Sequence, residues 1–153
     1  MLLDQATVDR ILAAPKRIED DVRFEQKQTW FKARAAVLGV EDHELFLELS
    51  WNATADKISV VLIVKRVAPG FARIYGADVG TDHHNPTCDQ AGDPHRHDQW
   101  TEKHGERMAS RADDLVSANV RLLFDDTLKR CNITFAGTFT PPAPTGTLLY
   151  GFV

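Results

Sequence analysis

The sequence predicts an α+β fold: an antiparallel β-meander of four to five strands, a C-terminal helix packed on one face, and a short N-terminal helix. Three observations carry this. Apolar and polar residues alternate with period two through 30–37 and again through 45–51. The connections between the early segments are short, which favours sequential antiparallel pairing. After residue 113 a helical stripe replaces the alternation.

Thr7 is placed to cap a short helix through Ala14, with Val8, Ile11 and Leu12 on its apolar side and Pro15 ending it. Residues 16–29 are highly charged and read either as a second short helix or as a surface lead-in. In the first strand Phe31, Ala33, Ala35 and Val37 face one way, and Trp30, Lys32 and Arg34 the other. In the second, Leu45, Leu47, Leu49 and Trp51 alternate with Glu44, Glu48 and Ser50. A third strand over 58–66 is apolar on both faces, which predicts a central or well-covered position. Ala68-Pro69-Gly70 reads as a tight reversal, and a fourth strand over 71–77 puts Arg73 on the wet face. Ser110-Arg111-Ala112-Asp113 resembles a capping box for a helix over 113–129, whose stripe is Val116, Val120, Leu123, Phe124 and Leu128. A last short strand is expected within 132–139, followed by Pro141, Pro142 and Pro144 and an apolar tail over 148–153.

The chain of 153 residues is 43 % hydrophobic and 26 % charged, which fits one domain over 1–153 with a real core. The formal charge of −4 argues against a general nucleic-acid coating protein but not against a local basic site. No apolar run approaches the roughly 20 residues that cross a bilayer. The first residues lack the basic and apolar regions of a signal peptide. Cys88 and Cys131 are too few for a disulfide scaffold and fit a reducing compartment. These features predict a cytoplasmic protein with no membrane association.

Of the six histidines, five fall between His83 and His104. They lie in 78–105, which reads as a long His-rich functional loop with few large apolar residues. On an extended chain His95 and His97 face the same side and Arg96 the other, whereas His83 and His84 cannot share a side.

Three chemistries fit. In the first, His95 and His97, assisted by His83 or His84, do metal-free acid–base work on a phosphodiester. Arg96, Lys103 and Arg73 are then the candidates for holding the substrate. In the second, His84, Cys88, His95 and His97 supply four donors for zinc, although their spacing matches no zinc-finger signature. In the third, the histidines only order a polar loop. Asp78 and Asp82 would either orient imidazoles or form turns. Trp100 reads as an anchor for the loop, Cys131 as buried, and His43 as a solvated turn residue. Asp113-Asp114 and Asp125-Asp126 read as solvated helix faces or a cap.

The run His83-His84-Asn85-Pro86, then His95-Arg96-His97, Trp100-Thr101-Glu102 and Gly105, and a helix ending Leu128-Lys129-Arg130-Cys131-Asn132-Ile133, resembles a group of small bacterial and prophage proteins. The strands before it, with Arg73-Ile74-Tyr75 and the His-Arg-His triplet, also resemble the TumE toxins of type II toxin–antitoxin modules. The resemblance covers roughly residues 44–133 and implies mobile-element or defence-related biology. The expectation is a toxin-like protein acting on RNA as a metal-independent ribonuclease, with an antitoxin as partner. The alternative is a non-enzymatic anti-defence protein, such as an anti-CRISPR, that blocks a host defence complex. An exposed meander edge would allow a homodimer.

Overall fold

A computed structural model describes residues 3–65 and 70–142. The expected reversal over 68–70 falls mostly outside them, as do Pro144 and the 148–153 tail.

The fold is α+β. Helix α1 (Gln5–Ala13) comes first, then strands β1 (Lys16–Ile18), β2 (Glu25–Lys27), β3 (Trp30–Val37), β4 (Leu45–Asn52), β5 (Lys57–Lys65) and β6 (Phe71–Val79). They are followed by β7 (His95–His97), β8 (Ser110–Arg111), a 3-10 turn at Asp113–Leu115, helix α2 (Val120–Arg130) and β9 (Ile133–Phe135). Strands β2 to β8 form one antiparallel sheet in sequence order. Strands β1 and β9 pair in parallel as a separate ribbon. The sheet thus has more strands than the expected four to five. The additional ones, β2, β7 and β8, are two or three residues long and polar, too short to show alternation. None of the helices among the described residues is long and apolar enough to cross a membrane.

Strand β5 is the middle strand, as its two apolar faces predict. Side chains alternate across the sheet, so one face carries Ala33, Ala35, Leu47, Leu49, Val60, Leu62 and Val64, all buried. Helix α2 covers that face with Val120, Leu123, Phe124 and Thr127. Burying a side chain the size of Leu123 or Phe124 contributes about 1.5–3 kcal/mol. Val8 and Ile11 of α1 join the same core. The opposite face has no helix over it among the described residues.

The helix boundaries differ from those expected. Asp4, not Thr7, caps α1, its Oδ1 accepting from the Thr7 N–H at 2.7 Å. Helix α2 starts seven residues later than the expected 113, because Ser110 and Arg111 are claimed by β8 and Asn119 supplies the cap. Val116 therefore precedes the helix and is 61 % exposed. Residues 16–29 contain strands, not a second helix. Lys16 there is buried, and its ammonium donates to the carbonyls of Ile11, Leu12 and Ala14, which otherwise lack partners at the end of α1. Cys131 is fully buried, and Trp100 packs against the core while its carbonyl accepts from Gln5 Nε2, so it anchors its segment as expected. His43 is not solvated: its side chain is 7 % exposed.

Candidate functional site

Strand β7 lies within the segment expected to be all loop. Its register on β6 sets Gly76 against His97, Ala77 against Arg96 and Asp78 against His95. On β5, Ser59 lies against Asp78 and Val61 against Gly76. Ser59, Asp78 and His95 therefore form one row across three strands, and Val61, Gly76 and His97 the next, all on the helix-free face.

His95 Nδ1 donates to the Gly92 carbonyl at 2.8 Å, and His97 Nδ1 to the Glu106 carbonyl at 2.6 Å. Those bonds fix the proton on Nδ1 of each ring and leave Nε2 with its lone pair when the ring is neutral. The two Nε2 atoms are 3.1 Å apart. Asp78 Oδ2 lies 3.1 Å from the first and 3.3 Å from the second. His83 completes the group, its ring centre 4.7 Å from that of His97 and 5.4 Å from that of His95. Its Nε2 meets the Arg107 carbonyl at 2.6 Å, which leaves the other nitrogen as an acceptor. One ring nitrogen from each of the three histidines falls within a 4.8 Å span, close enough to share an ion.

Burial acts against the charged forms here, and the neighbours outweigh it. Burial alone would raise the Asp78 carboxyl, but the bonds from His95, His97 and Ser59 hold it far below the usual carboxylate range. Burial would lower His95, but the Asp78 carboxylate and the Gly92 carbonyl bring its imidazole above the ordinary histidine value. Beside this group lies a hollow of about 30 Å³, room for about two waters. Its walls include Arg73, Asp78, His97 and Glu106. Strand β6 carries an extra residue between Arg73 and Tyr75, and this bulge turns Arg73 onto the face that bears Asp78.

The expected site residues divide. His83, His95 and His97 come together, and Arg73 reaches the adjoining hollow. His84 and Cys88 are exposed and outside the group, so the expected zinc set of His84, Cys88, His95 and His97 is replaced by one that uses His83. The parity of the triplet turns Arg96 through the sheet to the face under α2. There Asp114 accepts from it at 2.6 and 2.9 Å, and Asp126 at 3.1 and 3.2 Å. Arg96 is therefore a buried structural cation, not a phosphate ligand; Asp126 is its shielded partner rather than a solvated face, while Asp114 is both a partner and exposed to solvent. Lys103 is exposed in the turn after Thr101 and does not line the hollow.

The support around the imidazoles was less legible. Asn85 is buried and acts as a clasp. Its side chain donates to the Ala109 carbonyl at 3.0 Å and to Asp89 at 2.9 Å, and accepts from the Ala109 N–H at 2.8 Å. This ties the His83 loop to the segment whose carbonyls hold His83 and His97. Gly92 has φ +81°, where a side chain is strained, and a Cβ there would meet the Arg111 guanidinium at 2.5 Å. Its carbonyl is the one that fixes His95. Asp78 orients two imidazoles at once, while Asp82 is exposed.

Comparisons with protein-family models, with curated proteins and with solved structures find no match to this chain.

Proposed function

We propose that the protein is a toxin-like phosphodiesterase of a mobile element that acts on RNA, and that its reaction centre is a divalent transition-metal site. His83, His95, His97 and the Asp78 carboxylate would hold the ion. One observation carries this reading: three lone-pair atoms, His95 Nε2, His97 Nε2 and Asp78 Oδ2, stand 3.1–3.3 Å from one another. Acceptors at that spacing repel unless a proton or a cation lies among them. Ligands about 2.0–2.1 Å from a tetrahedral zinc stand about 3.3 Å apart, so the spacing suits an ion of that size. A backbone carbonyl on the second nitrogen of each ring is the support that metal-binding imidazoles use.

Bound there, such an ion supplies a Lewis acid and lowers the pKa of a bound water. In the hydrolysis a water oxygen bonds to phosphorus, and the bond from phosphorus to a ribose oxygen breaks. The leaving oxygen keeps the electron pair and gains a proton. Arg73 and Glu106 both line the hollow, and in this reading Arg73 would hold the phosphate and Glu106 would pass the proton. The RNA substrate and the toxin class rest on the resemblance carried by residues 83–86 and 95–97.

A second reading puts a proton where the ion would be. The raised His95 imidazole favours it, and it gives the metal-independent ribonuclease, with one ring as acid and the other as base. Metal analysis of the purified protein, with RNA cleavage measured before and after chelation, separates the two. The metal reading expects about one ion per chain and cleavage that stops on chelation and returns with zinc or manganese. Cleavage by metal-free protein overturns it in favour of the proton. No cleavage in either state rejects the enzyme and favours the partner-blocking role.

A further inference from the structure

The helix-free face of the sheet extends well beyond the histidine centre. The register of β2 to β6 gives its composition. Its basic side chains are Lys27, Lys32, Arg34, Lys57, Lys65 and Arg73, and its acidic ones are Glu25, Glu48 and Asp78. Within these strands basic side chains outnumber acidic ones six to three, and Glu44 beside Lys65 and Glu106 beside Arg73 offset two of them, on a chain whose total is −4. Arg34 is paired with Glu48 and Lys65 with Glu44, but Lys32, Lys57 and Arg73 make no salt bridge among the described residues.

Aromatic rings lie between these charges. Lys32 Nζ is 5.7 Å from the Trp30 ring centre, and Arg34 Cζ is 5.1 Å from that of Phe46 and 5.0 Å from that of Phe71. Phe71 is 44 % exposed although large and apolar. Half-exposed rings interleaved with cations, of which Lys32 and Arg73 make no salt bridge among the described residues, are the two parts of a single-strand binding surface: stacking platforms for bases and charges for phosphates. By register Lys32 lines up with Ser50, Ser59 and Asp78, and Arg73 with Ile63, Phe46 and Ala36 two rows away, so the path from Trp30 and Lys32 runs diagonally across β4 and β5 to Arg73 on β6, with the histidines beyond on β7. That is four strand spacings of about 4.8 Å each. It ends at the hollow that Arg73 shares with Asp78 and His97.

We propose that this face is the track for single-stranded RNA, which would cross from Trp30 and Lys32 to Arg73 and enter the histidine centre there. The inference deepens the proposed function by naming the form of its substrate. It uses none of the imidazoles for affinity, so it is testable on protein stripped of metal. A double-stranded RNA offers no free base faces and fits the flat face less well.

The test is fluorescence anisotropy with a labelled 12-nucleotide single-stranded RNA and chelated protein, over a series of salt concentrations. The expected results are binding that weakens with salt, at least tenfold weaker binding to the corresponding duplex, and two variant effects. Lys32→Glu with Arg73→Glu should weaken binding at least tenfold and flatten the salt dependence by about two phosphate contacts. Trp30→Ala should weaken it about fivefold or more and leave the salt slope unchanged. All three positions are at the surface, and circular dichroism checks that the variants fold. No binding at low salt, equal affinity for the duplex, or affinity indifferent to the charge reversal overturns the proposal. So does a protein partner captured through these residues without RNA binding. Metal content of the same preparation keeps the two proposals apart: RNA binding by a protein that never takes up metal rejects the metal centre alone.

Discussion

Strand β7 divides two environments that differ in one respect. On one side of it Arg96 is buried, and the Asp114 and Asp126 carboxylates satisfy its guanidinium. On the other side His95 and His97 turn lone pairs toward each other and toward a carboxylate oxygen. The first side is closed around its charge: the Arg96 guanidinium meets two carboxylates and needs no further partner. The second has too many acceptors for its donors. Adjacent residues of one strand thus serve opposite ends, a structural ion cluster under the helix and a centre that asks for a cation or a proton. A compensated charge cluster stabilises, whereas an uncompensated one at the surface selects a ligand.

The sharpest attempt to break that contrast removes one imidazole. His97→Ala leaves two imidazoles where there were three. If zinc-class binding is worth about 10–16 kcal/mol with a full set, losing one ligand costs about 4 kcal/mol, near 10³-fold in affinity. Metal per chain should fall to near zero in dilute buffer, with RNA cleavage at background. The melting temperature of the metal-free protein should fall by only about 2–4 °C, the worth of the bond from His97 Nδ1 to the Glu106 carbonyl, since the side chain is 11 % exposed.

Arg96→Ala reverses the pattern. It leaves the Asp126 carboxylate, which is 19 % exposed, with Arg130 as its remaining cation among the described residues, and takes from Asp114 its strongest partner. Breaking such a pair costs about 3 kcal/mol, a fall of roughly 6–12 °C in melting temperature for a domain of this size. Metal content measured at a temperature where the variant is still folded should be unchanged. A variant that loses metal while keeping its stability would erase the distinction between the two sides. Asp78→Asn touches both properties by smaller amounts. Metal affinity should drop, because a charged ligand becomes a neutral one. The metal-free variant should melt about 2–4 °C lower near pH 7, since the carboxylate accepts from both imidazoles and stabilises the charged His95 ring.

The contrast is partly legible in the sequence. Strands β3 to β6 are eight or nine residues long, so their alternation or apolar content was plain. Parity alone put His95 and His97 on one side and Arg96 on the other. What parity does not carry is which partners wait on each side. Asp126 lies 30 residues from Arg96 in sequence and meets it only because α2 covers that face. The choice of His83 over His84 depends on the Asn85 clasp, which holds the loop through Ala109, 24 residues away. Strand β7 itself is three polar residues and is a strand only because β6 offers it an edge.

The finest test concerns pH on the closed side. Asp114 is held below its ordinary value of 3.8, first by the hydrogen bond from Arg96, which outweighs a small effect of burial. A carboxyl depressed on folding stabilises the protein at pH values above the unfolded value, and that contribution is lost as pH falls through the lower folded value. Its side chain is 58 % exposed, so water screens much of the interaction and the contribution is about 0.5–1 kcal/mol. Asp114→Asn should therefore lower stability by about that amount at pH 7, read from denaturant midpoints, and the gap to the parent should close toward about pH 2. A gap that stays constant over that range would mean that Asp114 acts through shape or the neutral hydrogen bond. The clamp on Arg96 would then rest on Asp126, the carboxylate that α2 shields.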